Sequence, residues 1–104
     1  MTTGIPGETL QRYALSERFR PLRHVVWARY ADATVLLDAE RGQYYTLNEV
    51  AGRIWELLIA GEPLVEVLRL LRAEYEVSAE ALEADLAAQL DRLLEAALIE
   101  RVAP

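Results

Sequence analysis

The chain of 104 residues contains no cysteine and no lysine. Without cysteine there is no disulfide framework, no thiolate zinc site and no cysteine nucleophile. One histidine, His24, excludes any multi-histidine metal centre and leaves a Ser-His-Asp triad a single candidate base. No apolar run approaches the ~18 residues a membrane span needs. The opening stretch, MTTGIPGETLQRYAL, lacks the apolar core of a signal peptide. The five glycines are scattered, so none builds a phosphate-cradling loop. These absences predict a cytoplasmic protein, away from the membrane, that holds no metal and needs no cofactor.

What is present predicts one packed domain. Hydrophobic residues make up 53% and charged residues 27% of a length that holds one core. Leucine and alanine, 18 and 16 residues, lean the chain towards helix. The net charge is −6, and it is divided unevenly. Residues 1–30 carry five arginines and two glutamates, whereas residues 31–104 carry six arginines and fifteen acids. An acidic body with a mildly basic front is a poor match for nucleic acid, which demands a basic face.

Residues 1–21 show weak periodicity and hold Pro6 and Pro21; they read as a flexible N-terminal arm with a helical turn around residues 9–18. Residues 22–104 read as the folded domain. Three runs there are rich in β-branched and aromatic residues: 24–30, Ala33–Asp38 and Gln43–Leu47. Their short connections make them an antiparallel meander, with Gly42 suited to a left-handed position at the end of the second loop. From Leu47 the apolar period changes from 2 to 3.6, through Val50, Ala51, Ile54, Trp55 and Leu58. Thr46 or Asn48 caps this first helix and Gly61 stops it. Pro63 opens a second helix and Ser78 caps a third. Residues 98–102 read as a short closing strand or a frayed end. The expected class is α+β: a three-stranded antiparallel sheet followed by three helices, in a winged helix-turn-helix-like arrangement.

Catalytic chemistry is sparse. Glu80, Glu83 and Asp85 crowd the start of the third helix, where the helix dipole favours acids. His24 stands at a strand entry with no nucleophile beside it in sequence. The aromatics say more. Tyr44 and Tyr45 are neighbours on a strand and must point to opposite faces, so one of them leaves the core. The run Gln43–Leu47 carries no charge and no proline, the devices that usually protect a sheet edge. Such an edge accepts an extended peptide as an added strand, or is covered by the tail, the arm or a second copy.

The string Val35-Leu36-Leu37-Asp38, Gly42-Gln43-Tyr44-Tyr45-Thr46-Leu47-Asn48 and Ile54-Trp55-Glu56-Leu57-Leu58 resembles the PqqD-like family. The later Tyr75, Val77, Asp85-Leu86, Leu90, Leu93 and Ala97-Leu98-Ile99 extend that resemblance over roughly residues 22–102. Leu22-Arg23-His24-Val25 resembles the strand entry of members from lasso peptide clusters. The resemblance implies a non-enzymatic recognition element for the leader of a ribosomally made precursor peptide. It implies that the leader adds antiparallel to the strand at Gln43, Tyr44, Tyr45 and Thr46. It implies a helix wall of Leu82, Asp85, Leu86, Gln89, Arg92 and Leu93, with Arg92 suited to an acidic leader residue and Asp85 to a basic one. The implied partners are the precursor leader and a maturation protease or other modifying enzyme, with the protein a monomer or weak dimer. Members often end the third helix on glycine. Ala97 stands there in this chain, which predicts a helix that runs on or ends less sharply.

Two other functions remain open at this level. One is a peptide chaperone for a radical SAM enzyme, as in quinone cofactor synthesis. The other is a winged-helix DNA-binding regulator. The third helix weakens the latter, since it offers one arginine, Arg92, against Glu80, Glu83, Asp85, Asp91 and Glu95.

Overall fold

A computed structural model describes residues 12–103. The order is β1 (Phe19–Pro21), β2 (Val25–Tyr30), β3 (Ala33–Asp38), β4 (Gln43–Leu47), α1 (Glu49–Ile59), α2 (Leu64–Glu74), α3 (Ala79–Glu95) and β5 (Ile99–Arg101). Strands β2, β3 and β4 form the expected antiparallel sheet, in that order. Three helices follow it. No helix among the described residues is long and apolar enough to cross a membrane.

Local chemistry sets the boundaries. The β2–β3 loop is two residues, and Ala31 takes a left-handed φ of 54° in it. In the next loop the Asp38 carboxylate accepts the N–H groups of Glu40 and Arg41, both at 3.0 Å. Gly42 closes that turn at φ 69°, a conformation that glycine adopts without a Cβ clash. Asn48, not Thr46, caps α1 by accepting from Ala51 N at 2.9 Å. Thr46 is committed to the strand, paired with Val35. Ser78 caps α3.

The sheet has one dry face. Thr34, Leu36 and Asp38 of β3 are buried, while Val35 and Leu37 between them are half-buried on the other face. Leu36 pairs with Tyr45 and Thr34 with Leu47, so these share the face covered by α1. Helix α1 comes in close: a Cβ on Gly52 would lie 2.7 Å from the Thr34 hydroxyl. Trp55 at 0% exposure centres the core, with Trp27 edge-on at 5.4 Å between centroids. Leu64, Val67 and Leu71 of α2 and Leu82, Leu86, Leu90 and Leu93 of α3 complete it. Burial of this kind stabilises by about 25 cal/mol per Å² of apolar surface.

The segment before β2 departs from the expectation of a flexible arm. Residues 1–11 lie outside the described part. From Arg12 onward the chain is packed: Tyr13 is 7% and Phe19 1% exposed. Residues 12–18 contain turns but no helix. β1 pairs antiparallel with β5, Phe19 opposite Arg101 and Pro21 opposite Ile99. The tail is therefore a strand. The same segment completes α2. Pro63 provides no side-chain cap, so the N–H groups of Leu64 and Val65 donate to the carbonyls of Glu17 and Leu15.

The end of α3 is a second correction. The helix stops at Glu95, and Ala97 itself takes φ 59°. Ala97 N donates to Leu94 O and Leu98 N to Leu93 O, which is the Schellman pattern. Gly61 does the same after α1, with bonds to Leu58 and from Glu62 to Leu57. Burial of Leu98 and Ile99, at 1% and 2% exposure, holds alanine in the glycine conformation.

Candidate functional site

β4 has one hydrogen-bonded neighbour, β3. Its other edge pairs with no strand among the described residues. That edge opens onto α3, and two clefts lie along the boundary. The narrower, about 70 Å³, is lined by Tyr45, Thr46 and Leu47 on one side and Arg92, Leu93 and Leu98 on the other. The wider, about 300 Å³, lies between the start of α1 (Asn48, Val50, Ala51) and Asp85, Ala88, Gln89 and Arg92 of α3. Arg92 lines both, so the clefts are neighbours along α3 and are together called the groove.

The groove gathers most of the residues singled out in the sequence. Tyr45, Thr46, Arg92 and Leu93 meet in the narrow part, and Asp85, Gln89 and Arg92 face the wide part. Gln43 and Tyr44 sit on the edge strand but line neither cleft. Tyr44 is 69% exposed and paired with Leu37, on the sheet face turned away from α1. Leu82 and Leu86, expected in the helix wall, are core residues at 1% and 0% exposure and line neither cleft. Their stripe faces the other helices, and the groove wall lies to its side, on 85, 88, 89 and 92.

Asn48, Val50 and Ala88 escaped the sequence reading. Asn48 carries a capping signal that conceals its second position beside the cleft. Ala88 has no chemistry to notice. Its signal is spacing: it lies three residues after Asp85 and four before Arg92, on one helix face, and its small side chain leaves the cleft open.

The titratable groups that line the groove are the Asp85 carboxylate, the Arg92 guanidinium and the Tyr45 phenol. The groove offers three things to an extended chain: the free backbone edge of β4, small apolar pockets, and polar groups on α3. Gln89 lines the wide cleft, and its Oε1 is buried with no hydrogen-bond partner among the described residues. Neither Asp85 nor Arg92 has an ion-pair partner among the described residues.

The described residues thus form a winged-helix-like domain with an unpaired strand edge against its last helix. The profile of the family described as Coenzyme PQQ synthesis protein D (PqqD) matches residues 33–99, and the chain belongs to that family. A solved structure of TbiB1 in complex with the TbiA(beta) leader peptide is 35% identical, with a TM-score of 0.74, covering 82% of this chain and 99% of that one. Lasso peptide synthetase B1 complexed with the leader peptide is 32% identical, also with a TM-score of 0.74, covering 80% of this chain and 98% of that one. No curated protein matches.

Proposed function

We propose that this protein binds the leader of a ribosomally synthesised precursor peptide as an added strand, antiparallel to β4, and presents it to a maturation enzyme, the leader protease of a lasso peptide cluster. The observation that carries the reading is the β4 edge, unpaired among the described residues, beside the two neighbouring clefts on α3. Main-chain bonds supply affinity and the pockets supply selectivity. Both similar solved chains are described with a leader peptide, which supports the same use of the groove here. The protein contributes recognition and no bond-making step, and acts in the cytoplasm as a monomer or weak dimer. The family description also favours a second reading, in which the enzyme served is a radical SAM enzyme of quinone cofactor synthesis.

The test is a titration with the synthetic leader of the neighbouring precursor gene, read by amide chemical shifts. Perturbations are expected on residues 43–47 and on 85–93. Shifts confined to β1, β5 and α2 would refute the groove assignment.

A further inference from the structure

The two charges of the groove, Asp85 and Arg92, have no ion-pair partner among the described residues and hold fixed positions along it. The narrow cleft joins β4 to Arg92 and Leu93, and the wide cleft joins the start of α1 to Asp85. Moving from β4 into α1 therefore means moving backwards along α3, from Arg92 to Asp85. A strand antiparallel to β4 runs the other way, past Asp85 first and Arg92 second. The charges are seven helical residues apart, a rise of about 10 Å. A strand covers that span in about three residues at ~3.3 Å each. Groove-facing side chains recur at every second position, so the matching spacing is two or four.

Resting on the strand-addition reading, we propose that the groove selects peptides by charge order. The bound segment carries a cationic side chain that meets Asp85, followed two or four residues later by a carboxylate that meets Arg92. Gln89 lines the groove between the two charges on α3. Opposite charges placed this way fix direction and register, which a backbone ladder alone leaves free.

Three synthetic peptides of one Thr-Val-Ile strand sequence test this. They differ only at two groove-facing positions four apart: Lys then Glu, Glu then Lys, or Gln at both. Affinity and the amide shifts of residues 43–47 are read together. Lys-then-Glu is expected to bind about three- to tenfold more tightly than the reverse, the size expected for exposed charge pairs. The preference is expected to shrink at 1 M salt. In a variant carrying Asp85→Arg and Arg92→Glu it is expected to invert. Equal binding of all three, with residues 43–47 perturbed, overturns the charge order and leaves strand addition standing. If none perturbs residues 43–47, strand addition fails and the charge order fails with it.

Discussion

Tyr13 shows how single side chains tie the first described residues to the body. Its hydroxyl donates to the Asp91 carboxylate, its ring lies edge-on to Phe19, and the guanidiniums of Arg12 and Arg101 lie 5.6 and 5.3 Å from its centroid. Burial, and then the bond to Asp91, push the Tyr13 hydroxyl up to about 12. The Asp91 carboxyl is held below its ordinary value, first by the Tyr13 hydroxyl and then by Arg12. The signs follow. The raised Tyr13 value adds stability that is complete below pH 10 and is lost as pH climbs towards 12. The lowered Asp91 value adds stability present above the ordinary aspartate range and lost as pH falls through its folded value. Tyr13→Phe is expected to cost about 1–2 kcal/mol in urea unfolding at pH 7, and to remove the loss of stability between pH 10 and 12. Unchanged stability at pH 7 would show that the contact carries no weight. None of this was legible in the sequence, because Tyr13 and Asp91 meet across 78 positions with no local period to announce them.

Among the elements, the two helix ends make a natural comparison. α1 and α3 finish with the same pair of bonds, one on Gly61 and the other on Ala97. A left-handed alanine costs about 1–2 kcal/mol, part of which glycine returns as unfolded-chain entropy. Ala97→Gly is therefore expected to stabilise by about 0.5–1 kcal/mol, a rise of a few degrees in Tm. A fall would mean that the alanine methyl contributes packing beyond the turn. The Ala97 carbonyl also accepts from His24 Nε2 at 3.1 Å, so this turn is tied to the entry of β2. The meander and three helices were readable because apolar period changes sharply at Leu47. β1 and β5 were not: each is three residues long, too short for a period, and they pair across the whole chain. The groove was half readable. The bare edge of β4 shows as a run with no charge or proline. An unbroken leucine stripe on α3 does not show where core ends and wall begins, and Leu82 and Leu86 lie on its buried side.

Across the whole molecule, the charge division has a structural use. Of the five arginines before residue 31, four reach acceptors on the body: Arg12 to Asp91, Arg18 to the Gly61 carbonyl, Arg20 to Glu100 and Arg29 to Glu56. Each exposed contact is worth little alone. Together they attach the basic front to the acidic body. What the molecule leaves open instead is the backbone of β4. If a leader adds as a strand there, alternate amides of residues 43–47 point at it, while those between are already bonded to β3. Amide hydrogen exchange with and without saturating leader tests this most directly. Every second amide of residues 43–47 should slow at least tenfold, with the intervening ones unchanged. Exchange along β4 that stays the same while the leader is bound would contradict strand addition.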